Sequence, residues 1–183
     1  MSNFETIIKK IESNTEVVGI IGLGYVGLPL AVSFAKKDVQ VLGFEKSVKK
    51  ADAVNAGSNY IGDIKDEDLI RVVKETKKLS TTTDFSRIKE CDAIIICVPT
   101  PLDHFKKPDM KFIEQSCIDI GKNMKAGTFV SLESRLSKEN PACKKEKIFG
   151  FALAPNGLIR EIKIIKRIIR RKWLGLWAKM LKR

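Results

Sequence analysis

Apolar residues are distributed along this chain in two alternating rhythms. Short, β-branched runs stand at Val17–Ile21, Val39–Phe44, Leu79–Thr83, Ala93–Val98 and Thr128–Leu132. Between them, apolar positions recur at helical spacing over Tyr25–Lys37, Ser47–Ala56, Asp66–Thr76 and Lys111–Lys122. The first rhythm predicts strands and the second predicts helices. Phe4, Ile7, Ile8 and Ile11 share one helical face, so residues 1–16 are expected to hold an amphipathic lead helix. The run Ala93–Val98 is nearly unbroken, as in a central parallel strand covered on both faces. Gly57 is placed to end the second helix after the lead helix, Asp66 to N-cap the next, and Asp84 to cap the turn after the third strand. The alternation predicts an α/β fold, a Rossmann-type doubly wound parallel sheet with its ligand at the carboxyl ends of the strands. A sheet of this type normally continues beyond five strands, so the outer edge of the fifth is expected to be exposed.

The segment between the first strand and the first core helix reads Gly22-Leu23-Gly24-Tyr25-Val26-Gly27. This is G-x-G-x-x-G in the context that makes the motif specific, directly after a strand and before a helix. Gly22 permits the tight turn, Gly24 lets backbone approach a pyrophosphate, and Gly27 lets the helix pack on the strand. The amides of Tyr25, Val26 and their neighbours then face the phosphates at the positive end of the helix. Glu45 ends the second strand, 18 positions after Gly27. An acidic residue at that offset accepts from the ribose 2′-OH, and its charge repels a 2′-phosphate, which favours NAD over NADP. Thr82, Thr83, Pro99-Thr100-Pro101 and Glu133-Ser134 fall on the same ligand edge. Their hydroxyls have two roles open to them, ribose or phosphate contact and turn capping.

Charge first suggests a nucleic-acid partner, since the net charge is +12. Its distribution argues otherwise. Of 34 Lys+Arg and 22 Asp+Glu, residues 135–183 hold 15 basic and 3 acidic, leaving 19 of each in residues 1–134. The basicity belongs to the tail, and neither a nucleic-acid nor a membrane partner is expected for the remainder. Cys91, Cys97, Cys117 and Cys143 form no C-x-x-C pair and read as reduced packing residues of a cytoplasmic protein. His104, the one histidine, lies in a polar loop and reads as solvated. No metal site and no catalytic residue is expected.

GLGYVGLPLA, VLGFE, NYIGDI, TTTDF, DAIIICVPTPL, PDM and VSLES occur in that order over residues 1–134. Together they resemble the UDP-glucose/GDP-mannose dehydrogenase family, and in spelling most of all its UDP-N-acetylglucosamine 6-dehydrogenase branch. The resemblance implies an oxidoreductase of polysaccharide biosynthesis that oxidises a nucleotide-sugar CH–OH with NAD, working as a homo-oligomer. It implies cofactor contacts at Gly22, Gly24, Tyr25, Val26, Gly27, Glu45, Lys50, Thr83, Pro99, Thr100 and Ser134, with Lys50 near the adenosine ribose. It stops after Ser134. Arg135 stands where the family carries a threonine, and no cysteine here has the glycine-rich context of the family's catalytic cysteine. That thiolate is the nucleophile of the second oxidation step, so the chain is expected to be truncated before its substrate domain and incomplete for catalysis.

The domain reading is therefore a lead helix over 1–16, an NAD-binding domain over 17–134 and a basic tail over 135–183. Regrouping suitable codons for Leu153–Lys163 one base upstream yields F-S-P-E-R-I-D-P-G-N-K, similar to a family segment downstream of the break. The tail is accordingly expected to be family sequence read in a shifted frame. Two other readings stay open: a stand-alone dinucleotide-binding module, and a basic-tailed protein whose Leu158–Arg183 segment binds a membrane surface or RNA as an amphipathic helix.

Overall fold

In the computed structural model, the residues described are 3–102, 104, 109–133 and 149–151. The expectations for residues 135–148 and 152–183 of the tail lie outside them, as do those for Ser134 and Cys143. The chain runs α1 (Asn3–Ser13), β1 (Val17–Ile21), α2 (Gly27–Ala35), β2 (Gln40–Phe44), α3 (Val48–Ala56) and α4 (Asp66–Ile70). It continues through β3 (Leu79–Thr82), β4 (Ala93–Ile96), α5 (Lys111–Asn123), β5 (Phe129–Leu132) and β6 (Phe149–Phe151).

The strands form one sheet in the order β3-β2-β1-β4-β5-β6. The first five are parallel, with Ile20 level with Gly43 on one side and with Ile95 on the other. This is the Rossmann order, whose switch point lies between β1 and β4. Successive side chains of a strand point to opposite faces, and the core divides accordingly. Val18, Ile20, Val41 and Ile95 join Leu28 and Ala31 of α2 and Val54 of α3 on one face. Ile21, Leu42, Phe44, Ile94 and Ile96 join Ile88 and Ile120 of α5 on the other. All four residues of β4 are buried, as its unbroken apolar run predicts.

The structure corrects several local expectations. β1 matches its run, whereas β2 to β5 are one or two residues shorter than theirs, because those runs extend past the ladder. The Cys97 amide, for example, still donates to the Ile21 carbonyl at 2.8 Å. The first core helix begins at Gly27 rather than Tyr25, since the glycine turn occupies the residues before it. Asp66 does not cap α4: Lys65 is the last extended residue, and the Asp66 carboxylate accepts from the Asn59 amide at 3.0 Å instead. The expected helix over Asp66–Thr76 changes after Ile70 into a wider π-turn over Arg71–Glu75, with the Thr76 amide reaching back to the Arg71 carbonyl. The outer edge of β5 is not bare. β6 pairs with it antiparallel, Ser131 opposite Gly150, so its ladder groups find partners. Gly57 and Asp84 end and cap their elements as read from sequence.

At the opposite end of the sheet from the glycine turn, Asp92 clamps three elements. One carboxylate oxygen accepts from Lys10 of α1 and from Lys125 after α5, each at 2.8 Å; the other accepts from the Val17 amide at 3.0 Å. Burial pushes the Asp92 carboxyl upward, but the two ammonium groups and the amide outweigh it and hold it below the ordinary carboxylate value. A lowered carboxyl pKa stabilises the fold above the unfolded-state pKa, and that contribution fades as pH falls through the folded-state value. Asp92→Ala is expected to cost about 2–3 kcal/mol at neutral pH. Melting curves of the two proteins should converge as the medium is made more acidic than the ordinary carboxylate range; a gap that persists there would contradict the clamp.

Candidate functional site

The carboxyl ends of β1, β2, β3 and β4 bring Gly22, Glu45, Thr83 and Pro99 to one edge of the sheet. Gly22 has φ +88°, a conformation that side chains rarely adopt. Its amide donates to the Phe44 carbonyl at 2.9 Å, and its α-carbon backs onto the Cys97 carbonyl. Gly27 opens α2 against this turn so closely that a Cβ would collide with the Gly22 carbonyl oxygen. Gly24 differs from both: a Cβ there would meet nothing within 4 Å. The turn is thus tight against the protein at its two ends and open at its middle. Tyr25 and Val26 are exposed beside the opening, and a helix start leaves its first amides without intrahelical acceptors.

Glu45 borders this opening. Its Oε2 accepts from the Leu23 amide and its Oε1 from the Ser47 amide, both at 3.2 Å. An ionised carboxylate has about four acceptor sites, so two backbone bonds leave capacity for ribose hydroxyls. Ser47 N-caps α3, which carries Lys50 one turn in. The Lys50 ammonium lies 5.8 Å from the centre of the Tyr60 ring. Tyr60 was not singled out by sequence reasoning as a site residue. Its hydroxyl donates to the Leu23 carbonyl at 2.7 Å, a contact spanning 37 residues. Burial first, then the Glu45 charge, pushes its phenol up to about 12, so it remains a donor throughout the working pH range.

Thr83 is exposed just past β3, and Pro99 and Thr100 follow β4, exposed and half-buried respectively. They share the edge with the glycine turn, whereas Ser134 falls outside the described residues. The Thr82 hydroxyl takes the capping role, accepting from the Asp84 amide at 3.0 Å. His104 is exposed. Burial pushes the Cys91 thiol up to about 12 and the Cys97 thiol higher still, so neither offers a thiolate. Cys117 is likewise raised, by burial and by Glu114. Among the described residues no cluster of His, Cys, Asp or Glu could hold a metal ion, and no helix is long and apolar enough to cross a membrane.

The donor set fits a dinucleotide. An open glycine flanked by orphan helix amides suits a pyrophosphate, and a carboxylate at the end of β2 suits a ribose diol. Comparison with known proteins agrees. Residues 16–146 match the NAD binding domain of the UDP-glucose/GDP-mannose dehydrogenase family. The chain is 36% identical over 141 residues to the UDP-N-acetyl-D-glucosamine 6-dehydrogenase of Salmonella typhi, covering 77% of this chain and 31% of that protein. It is 34% identical to the UDP-N-acetyl-D-mannosamine dehydrogenase of Yersinia pestis, covering 65% of this chain and 28% of that protein. The crystal structure of an NDP-N-acetyl-D-galactosaminuronic acid dehydrogenase from Methanosarcina mazei superposes with a TM-score of 0.63 at 34% identity, over 75% of this chain and 31% of that one. The chain thus spans less than a third of the length of these relatives.

Proposed function

Since this chain belongs to the UDP-glucose/GDP-mannose dehydrogenase family and carries its NAD-binding domain, we propose that these 183 residues bind NAD at the glycine turn without completing a dehydrogenation themselves. The observation that carries this reading is the pairing of an open Gly24 with Glu45, whose carboxylate is hydrogen-bonded to the adjoining Leu23 amide. In the bound state the amides of Gly24, Tyr25, Val26 and Gly27 face the pyrophosphate. Glu45 accepts from the adenosine ribose, and Lys50 lies on the ribose side. Thr83, Pro99 and Thr100 line the remaining cofactor edge, and Ser134 is assigned to it by resemblance alone. Bound NAD would supply a hydride acceptor.

The substrate of the whole enzyme would be a nucleotide sugar, the class named in the relatives, oxidised at a CH–OH group as the family resemblance implies. The thiolate implied for the second oxidation has no counterpart among Cys91, Cys97 and Cys117, whose pKa values are all raised. Cytoplasmic location and homo-oligomers of full-length relatives belong to the same reading. The division into residues 1–16, 17–134 and 135–183, with the tail out of frame, is likewise a proposal. Sequencing the DNA downstream of the Ser134 codon tests the last point: one frame change should restore a family-like continuation, and failure of every frame to do so would refute it.

Turnover is tested by incubating the protein with NAD and UDP-N-acetylglucosamine or UDP-glucose and following absorbance at the NADH band. No steady-state reduction is expected. Sustained NADH formation proportional to protein would overturn the claim of incompleteness while leaving NAD binding intact.

A further inference from the structure

The loop Ser58–Lys65 between α3 and α4 has no part in the reading above, yet it is built to hold one side chain in place. Asn59 ties the loop to itself: its amide donates to the Ile64 carbonyl at 2.7 Å, and its side-chain oxygen accepts from the Ile61 amide at 2.9 Å. Ile61 and Ile64 are buried in the same core cluster as α2. Tyr60, between these anchors, is fixed over the glycine turn.

Leu23, which lies between the first two glycines of that turn, is held by each of its groups. Its side chain is fully buried, packed on Gly43 so closely that a Cβ there would meet its Cδ1 at 2.8 Å. Its amide donates to Glu45 and its carbonyl accepts from Tyr60. A trans peptide is planar, with C=O and the following N–H pointing in opposite directions. Holding the Leu23 carbonyl toward Tyr60 therefore aims the Gly24 N–H away from Tyr60. Gly24 is the open position of the turn, so the aimed amide is the one a pyrophosphate meets. The Tyr60 ring also carries the Lys50 ammonium at 5.8 Å, within cation–π range.

We infer that Tyr60 is a positioning residue of the dinucleotide site: its hydroxyl fixes the Leu23–Gly24 peptide for the pyrophosphate, and its ring fixes Lys50 on the ribose side. This inference rests on the NAD reading and adds a residue to it. The hydroxyl acts on the phosphate turn alone, so its loss is selective by ligand. In Tyr60→Phe, affinity for NAD and ADP is expected to fall about five- to tenfold, the size of one hydrogen bond. Affinity for adenosine, which has no phosphate, is expected to be unchanged. Tyr60→Leu removes ring and hydroxyl together and is expected to weaken NAD further than Tyr60→Phe.

Calorimetry with NAD and ADP, and ligand-observed NMR with adenosine, read these affinities, with melting temperature recorded for each variant. Equal NAD affinity in Tyr60→Phe and the unsubstituted protein would overturn the inference and leave the NAD reading standing. So would a loss shared equally by NAD and adenosine, which marks a merely structural role. A failure of the unsubstituted protein to bind NAD would overturn both. A readout that needs no variant is the Tyr60 hydroxyl proton of the unsubstituted protein. It should stay protected from exchange as ADP is added while the Gly24 amide resonance shifts; loss of protection on binding would refute the role.

Discussion

Gly24→Val is expected to abolish measurable NAD binding while leaving the melting temperature within about 2 °C of the unsubstituted protein. Few substitutions separate the two properties, and this one does so because of where the open space lies. A Cβ at Gly24 meets no protein atom within 4 Å, so the first carbon of the added side chain enters open space. The pyrophosphate meets that side chain, because its oxygens must come within hydrogen-bond reach of backbone amides that a branched side chain covers. Loss of those charge-assisted bonds together with a steric clash should lower affinity more than about a hundredfold. Gly27→Ala provides the contrast. Its Cβ collides with the Gly22 carbonyl oxygen, so that variant should lose stability and binding together. Calorimetric NAD titration beside thermal melting of both variants reads the difference. Retained NAD affinity in Gly24→Val would place the pyrophosphate elsewhere.

Glu45→Gln is expected to weaken NAD about ten- to a hundredfold and to narrow the preference of NAD over NADP. Glu45 accepts two backbone amides, one on each carboxylate oxygen. A glutamine has a single side-chain acceptor oxygen, so either Leu23 or Ser47 loses its partner. The ribose contact also changes from a charged to a neutral acceptor, and hydrogen bonds to charged groups are worth about 1.5–3 kcal/mol. NADP responds in the opposite sense. Its 2′-phosphate would face the carboxylate directly, and like charges so placed cost several kcal/mol. Removing the charge removes that repulsion. Parallel titrations with NAD and NADP check the prediction. An unchanged ratio of the two affinities would show that Glu45 does not face the ribose.

The strand, turn and helix of the candidate site are legible because each has a local cause. β1 and β4 are apolar runs, and Gly22 and Gly27 announce themselves by spacing. Gly57 and Asp84 likewise act within a few residues of their own positions. What escaped sequence reasoning depends on contacts between distant residues. Asp92 meets Lys10 across 82 positions and Val17 across 75, and Tyr60 meets Leu23 across 37. No periodicity encodes such pairs. Asp66 was misread because a capping residue and a first-turn acidic residue look alike until Lys65 is seen to be the last extended position. β6 was missed because three residues, Phe149–Phe151, form a strand through pairing with β5 rather than through any pattern of their own. For the candidate site, the glycines and Glu45 could be named in advance. The means of holding them in place could not.

The proposed NAD site of this chain is the Gly22–Gly27 turn. Isothermal titration of the unsubstituted 183-residue protein with NAD, with NADP as reference, tests it most directly. One NAD per chain, with NADP bound markedly more weakly, is the predicted result. Absence of NAD binding by a protein that melts cooperatively, or tighter binding of NADP than of NAD, would contradict it.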